Sequence, residues 1–301
     1  MIYITQGHEK GIGIEIFLKT FLMLSNKKKE SLVFICRKQD LEKNCKDLNI
    51  DVKKILNLNL IENNEFSNFS STNSMLTALE KITSNDILVT MPTSKDQLIL
   101  ENKKLSGHTE FFRSYFKNQF IIMLFKAFNH NMLLVTDHIP LNSVSNSISK
   151  KLIIEKLDIA LSEFPKYFTT LDEIIFSGVN PHAGEQGILG NEELEIEEAI
   201  IFLKNKHSVI FKGPYSGDTL HFFENTLNQL FVYMYHDQGL AKFKSNYGLL
   251  GLNITFGLPF LRLSVDHGTA FELYGKNRAN NLGMIYLLQE AFNIQSKLSE
   301  V

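Results

Sequence analysis

Five of the nine histidines sit beside both a carboxylate and a glycine or proline. They are His108 in SGHTE, His138 in VTDHIPL, His182 in GVNPHAGE, His236 in MYHDQG and His267 in SVDHGTA. Their acidic neighbours, within three positions, are Glu110, Asp137, Glu185, Asp237 and Asp266. Neutral imidazole is the commonest metal ligand among side chains, and a carboxylate on its second nitrogen fixes the tautomer and raises basicity. Three such groups converging from separate loops would hold a divalent ion and leave positions open for a substrate. Taken singly, each histidine has a plainer reading as a hydrogen-bonding turn residue. Five repeats of one context favour a site, while His8, His130, His207 and His221 keep the plainer reading.

Other residues suit anions. Arg262 lies between two apolar runs in GLPFLRLSVDHG, a setting that calls for a bound anion or for an acidic partner such as Asp266. Lys242 and Lys244 follow the His236–Asp237 pair, Lys242 being read as a solvated surface charge. The GIG of Gly11–Gly13 could present backbone amides to an anion, although it lacks the glycine spacing of a dinucleotide fingerprint. A nucleophile elbow, a Walker A loop, an HExxH helix and a CxxC pair are all missing.

Elements able to position these groups are visible as alternating patterns. Strands are expected at Met1–Thr5, Ser31–Cys36, Asp86–Thr90, Phe120–Phe125, Met132–Thr136, Glu173–Gly178, Ser208–Gly213, Leu230–Tyr235 and Phe260–Val265. Helices are expected at Ile12–Ser25, in the charged stretch after Cys36 as far as Asn49, and at Ser147–Phe164, Glu192–Lys206 and Ala279–Gln295. Such alternation predicts an α/β fold with a largely parallel sheet, and FKAFNHNMLLV predicts one antiparallel hairpin. Four of the five histidine motifs follow a predicted strand, where open α/β sheets collect ligands. The Leu230–Tyr235 run reads as a buried strand that ends in a glycine-marked loop carrying His236 and Asp237, with Gly239 turning the chain. The Asn- and Ser-rich Asn63–Ser74 stretch reads as a surface loop.

Composition narrows the classes. In 301 residues, 31 basic side chains nearly balance 33 acidic ones, which gives no general attraction to nucleic acid or to an anionic membrane. The two cysteines, Cys36 and Cys45, form neither a disulfide framework nor a zinc knuckle, and a reducing cytoplasm fits. No signal-peptide pattern or bilayer-length apolar run is present, so a cytoplasmic location is expected.

GHTEFF, NPHAGEQG, SGDTL, YHDQGL, GLNITFGLPF and SVDHGTAFEL occur in an order that resembles the 4-hydroxythreonine-4-phosphate dehydrogenase family of pyridoxal 5′-phosphate (vitamin B6) biosynthesis. The similarity is strong from Ser106 to Gly275 and collinear at the N-terminus. It implies a two-lobed α/β architecture like isocitrate and isopropylmalate dehydrogenases, with a largely parallel mixed sheet and a central cleft. The lobes implied are about residues 1–125 plus 245–301 on the cofactor side, and 126–244 on the metal and dimerisation side. By motif, His138, His182 and His236 are implied ligands of one divalent metal (zinc, cobalt, magnesium or manganese), shared between the subunits of a homodimer. Substrate contacts implied are His108, Thr109, Lys244, Asn253 and Arg262. His267, Gly268, Thr269, Ala270 and Asn280 would lie near NAD or NADP. Asp218, Asp237 and Lys244 are the catalytic candidates, with the choice of general base left open.

The implied reaction oxidises the C3 hydroxyl of 4-phosphooxy-L-threonine, with hydride passing to NAD, to 2-amino-3-oxo-4-phosphooxybutanoate. That β-keto acid loses carbon dioxide to give 3-amino-2-oxopropyl phosphate. The chain departs from the family pattern at Gln6, Glu9, Met91 and Asn280, and is short around Ser162–Asp172. The alternative is a related metal-dependent NAD(P) dehydrogenase for another phosphorylated or carboxylated hydroxy acid. A non-catalytic binding protein and a metal-dependent hydrolase are the more distant rivals.

Overall fold

Short aliphatic runs become strands where both faces are covered, and the first does so at β1 (Ile2–Thr5). In the computed structural model, which describes residues 1–299, the chain divides into two units. One comprises Met1–Ile121 and the segment from Leu252 onward; the other is the contiguous Ile122–Gly251.

In the first unit, β1 leads into α1 (Gly13–Met23), whose buried face includes Ile14, Ile16, Phe17 and Phe21. Then come α2 (Asn26–Glu30), β2 (Leu32–Ile35), α3 (Lys38–Asp47), β3 (Asn59–Ile61), α4 (Ser70–Leu79) and β4 (Ile87–Thr90). A two-residue hairpin, β5 (Ile99–Leu100) and β6 (Lys103–Lys104), precedes α5 (His108–Phe116).

The second unit opens with the expected hairpin of β7 (Ile122–Ala127) and β8 (His130–Leu134), antiparallel in register Ala127↔His130. It continues through α6 (Val144–Ser147), α7 (Lys150–Tyr167), β9 (Glu173–Ser177), α8 (Glu193–Lys206), β10 (Ile210–Tyr215), β11 (Gln229–Tyr233) and α9 (His236–Tyr247). Its strand order is β10-β9-β11-β8-β7, parallel except for β7.

The chain then returns to the first unit with β12 (Leu252–Phe256), β13 (Leu261–Val265) and α10 (Leu282–Ser299). That sheet runs β12-β13-β4-β1-β2-β3, parallel except for β12. Each unit has its own apolar core, around Leu88, Phe111 and Phe112 in the first and around Phe231, Tyr233 and Phe243 in the second.

Three expectations are corrected here. Asn63–Ser74 is not all surface loop, because Ser70 onward forms α4 and Ser70, Ser71, Thr72, Asn73 and Ser74 are buried. Their hydroxyls and amides are bonded within the fold, as in Thr72 Oγ1 donating to the Gln97 carbonyl at 2.6 Å, so a polar face is buried without an apolar signature. Secondly, His236 and Asp237 do not sit in a loop but form the first turn of α9. Gly239 therefore does not turn the chain; it lies within the helix, against β11. A Cβ there would fall 2.8 Å from Tyr233 Cδ2 and 3.2 Å from Met132 Sδ, so only glycine lets the helix approach so closely. For Gly239→Ala, overpacking of roughly 1–3 kcal/mol outweighs a helix-propensity gain of about 1 kcal/mol. A lower urea midpoint than wild type is the expected result. Thirdly, β3 and β12 were not expected as strands; NLI is three residues long, and LNITF is flanked by glycines that read as loop.

Candidate active site

In the second unit β8, β9, β10 and β11 are parallel, so the segments that follow them leave the same sheet edge. His138 follows β8, His182 follows β9, Asp218 follows β10 and His236 follows β11. The rings of His138 and His236 have centroids 5.5 Å apart at 44°. Asp237 Oδ1 lies 2.7 Å from His236 Nδ1, which leaves Nε2 for a ligand. Together with Asp137 and Tyr235, these two histidines line a depression of about 340 Å³.

His182 belongs to a neighbouring depression of about 470 Å³, shared with Asp218, Gln238 and again Tyr235. The Ser216 hydroxyl, donating to Asp218 Oδ1 at 2.5 Å, together with His182 and His221 nearby, holds the Asp218 carboxyl below its usual range. Among the described residues no three His, Cys, Asp or Glu side chains gather as a ready metal cage. The structure thus brings His138 to His236 and His182 to Asp218. Lys244 is exposed, two turns beyond His236 on α9.

The backbone at His182 is unusual, since His182, Ala183, Gly184, Glu185 and Gln186 all have positive φ, at 53°, 50°, 74°, 46° and 57°. A buried carboxylate explains how the turn is held. Glu193 Oε1 accepts from the amides of Val179 and Asn180, both at 2.8 Å, and Oε2 accepts from Asn180 Nδ2 at 3.0 Å. Glu192 accepts from Asn180 Nδ2 at 2.7 Å and from the Ser145 hydroxyl, which ties this turn to the segment after His138. Gln238 joins the ends of β9 and β11, donating to the Gly178 carbonyl at 2.7 Å and accepting from the Met234 amide at 2.8 Å. Glu193 and Gln238 were not singled out from the sequence, because surface-type residues bonded to distant backbone leave no local pattern.

The first unit presents a cationic group of a different kind. Arg262, in the middle of β13, is 3% exposed. Its Nε and Nη2 donate to Thr90 Oγ1 at 3.0 and 2.6 Å, and Nη1 donates to Thr255 Oγ1 at 3.1 Å and Asn253 Oδ1 at 3.3 Å. These acceptors are all neutral, so the salt bridge with Asp266 left open above is not what satisfies it. Burial pushes the Arg262 pKa down to about 9, which leaves it charged at neutral pH. His108 begins α5, followed by buried Thr109, and burial together with the Arg262 charge lowers its pKa well below the usual imidazole value.

The loop after β13 carries His267, Gly268, Thr269, Ala270 and Asn280. His267 Nδ1 lies 3.1 Å from the Gly268 carbonyl, Gly268 faces open space, and Ala270 is left-handed at φ 44°. Asn280 Oδ1 accepts from the Leu282 amide at 2.9 Å, capping the start of α10. Two amides of the Gly11–Gly13 segment, which could have met an anion, are already used within the fold. The Gly11 amide donates to the His8 carbonyl and the Ile12 amide to the Thr269 carbonyl. Lys242 is likewise not a freely solvated charge, for it is half-buried and burial lowers its pKa.

Known proteins resemble this chain over most of its length. Residues 16–291 match the family described as pyridoxal phosphate biosynthetic protein PdxA. A 4-hydroxythreonine-4-phosphate dehydrogenase of Sulfurihydrogenibium sp. is 33% identical, over 92% of this chain and 92% of that protein. Another, from Ralstonia nicotianae, is 38% identical over 64% of this chain, a match that spans only 60% of that protein's length. Among solved structures, a 4-hydroxythreonine-4-phosphate dehydrogenase of Klebsiella pneumoniae superposes with a TM-score of 0.77 at 25% identity, covering 98% of this chain and 99% of that one. Isocitrate dehydrogenase of Methylococcus capsulatus shares the fold, with a TM-score of 0.55 at 11% identity, over 99% of this chain and 87% of that one.

Proposed function

The chain belongs to the PdxA family of pyridoxal phosphate biosynthetic proteins, and from that premise we propose that it oxidises 4-phosphooxy-L-threonine at C3 with NAD or NADP as hydride acceptor. The observation that carries this reading is the gathering of His138, His182, Asp218 and His236 at one edge of a parallel sheet, in a chain whose relatives bear that enzyme's name. The donor set fits a divalent metal: two imidazoles lie 5.5 Å apart, and Asp237 ties one ring through Nδ1. Bound there, such an ion acts as a Lewis acid toward the reacting hydroxyl and lowers its pKa.

The chain's own residues supply the rest. Asp237 orients His236, while Glu193 and Glu192 hold the turn of His182. Asp218, kept ionised by Ser216, is the candidate to accept the hydroxyl proton, with Asp237 and Lys244 as the other groups for proton transfer. Arg262, with Asn253, His108 and Thr109, is assigned to the anionic end of the substrate. The loop of half-buried His267, Thr269 and Ala270 with exposed Gly268 and Asn280 is assigned to the dinucleotide, and the open space at Gly268 suits a close approach. Oxidation moves two electrons and the C3 hydrogen to the nicotinamide and the hydroxyl proton to the base. The resulting 3-oxo acid can lose carbon dioxide because its carbonyl accepts the released electron pair. We also infer that the metal is shared between two copies of the chain; His182 and Asp218 line a depression next to the one lined by His138 and His236, and Tyr235 lines both.

The test follows NADH absorbance with purified protein, NAD and 4-phospho-L-threonine, with and without chelator. NADH formation that needs metal and falls at least about 100-fold in His182→Ala is the expected result. No NADH from folded, metal-loaded protein with this substrate, but NADH from another hydroxy acid, would move the assignment to the alternative substrate class.

A further inference from the structure

Glu15 is a buried charge for which the reaction has no use. It lies on α1 among Ile14, Ile16, Phe17 and Leu18, and its side chain is 2% exposed. A carboxylate there is unfavourable by several kcal/mol unless fully bonded, so its partners tell what it is for. Glu15 Oε1 accepts from the Ala279 amide at 2.8 Å and from Lys19 Nζ at 2.7 Å. Lys19 Nζ in turn donates to the Ala279 carbonyl at 3.0 Å. An i,i+4 ion pair thus grips both polar atoms of one residue in a loop more than 250 positions away, directly before Asn280.

The same segment holds the loop elsewhere. The Ile12 amide donates to the Thr269 carbonyl at 3.0 Å, the His8 ring meets Phe271 edge-on at 4.8 Å, and Thr20 Oγ1 accepts from Asn281 Nδ2 at 3.1 Å. Between these anchors the loop is mostly exposed; it is joined internally by single turns, such as the Leu273 amide to the Ala270 carbonyl, and touched from α3 by Lys43 Nζ, 4.8 Å from the Tyr274 ring centre. Its two ends, His267–Ala270 and Asn280, are thus held by one stretch of chain, the first by His8 and Ile12 just before α1 and the second by Glu15, Lys19 and Thr20 on it.

We propose that Glu15 and Lys19 are positioning residues for the nicotinamide dinucleotide, setting the Asn280 end of the loop against its His267–Ala270 end before the dinucleotide arrives. This rests on the assignment of that loop to the dinucleotide. Loss of the grip leaves the loop to be ordered by the ligand, so affinity falls while the reacting groups in the other unit are untouched.

The experiment titrates wild type, Lys19→Met and Lys19→Arg with NADH and with NADPH by calorimetry, alongside thermal midpoints, hydrogen exchange of residues 267–281 and steady-state kinetics. Lys19 is chosen over Glu15 because its side chain is a quarter exposed and Met keeps the aliphatic stem. The expected result is a Kd and cofactor KM raised roughly tenfold in Lys19→Met, with kcat at saturation within twofold of wild type. Faster exchange should be confined to the loop, and Lys19→Arg should restore affinity. A folded Lys19→Met with wild-type Kd and loop exchange would overturn the positioning role alone. Wild-type protein that binds neither dinucleotide would overturn the loop assignment, and the proposal with it. If Lys19→Met does not fold, Lys19→Gln carries the same comparison.

Discussion

Arg262→Lys should lower kcat/KM for the phosphorylated substrate by roughly 100-fold or more while the protein stays folded. The reason lies in how the guanidinium is held. A cation in the middle of β13 with hydroxyl and amide oxygens of Thr90, Thr255 and Asn253 as its partners is positioned but not neutralised. Four of its hydrogen bonds fix the plane of the fork, and on the proposed assignment an incoming phosphate or carboxylate would meet a charge that is already desolvated. Lysine keeps the charge but loses the planar donors that bridge Thr90 and Thr255, so the ammonium has no fixed direction. Steady-state kinetics with 4-phospho-L-threonine, paired with competition by inorganic phosphate, checks this. An Arg262→Lys protein within threefold of wild type in both would reduce Arg262 to a structural role.

The second large effect is on stability in acid. His130 is 1% exposed, stacked on Phe231 at 4.9 Å and flanked by Phe243 and Tyr247; among the described residues neither ring nitrogen has a well-aligned hydrogen bond, and nearby Asn225 opposes the shift only in part. Burial first, and the Lys242 charge second, push its pKa down to about 4. An unfolded chain takes up that proton near pH 6.5, so between about pH 6.5 and 4 the unfolded state binds more protons. Stability from this residue is therefore whole above pH 6.5 and is lost as pH falls, by roughly 3 kcal/mol at pH 4. His130→Phe, which keeps the aromatic packing and removes the titration, should flatten that part of the profile. Urea midpoints of both proteins at pH 7.5 and pH 5 decide it; parallel losses would assign the acid sensitivity elsewhere.

What was legible in the sequence was the sheet edge at which the candidate site lies. Apolar runs such as LFVYMY end in His236, and the same strand-then-histidine pattern at His138 and His182 follows the parallel strands that carry them. What was not legible depends on partners far away in the chain. In the sequence Gln6 and Glu9 stand out only as departures from the family pattern. In the structure Gln6 donates to Asp40 Oδ2 and accepts from the Arg37 amide and Asn63, and Glu9 accepts from Ser70 Oγ and Gln97 Nε2. These bonds stitch the first loop to α4, whose burial the composition disguised. Gly239 misled for the opposite reason, since a glycine chosen for close packing looks like one chosen for a turn.

The interrupted first unit has a consequence for how the chain can mature. β4 lies between β1 and β13 in its sheet, yet β13 follows the whole of Ile122–Gly251. During synthesis from the N-terminus, the contiguous unit is complete in sequence while β4 still lacks its second neighbour. Its amides and carbonyls on that side stay an open edge, of the kind that pairs with foreign strands. A ribosome must add Leu261–Val265 before the native partner exists, so the half of the protein that starts first is the half that finishes last.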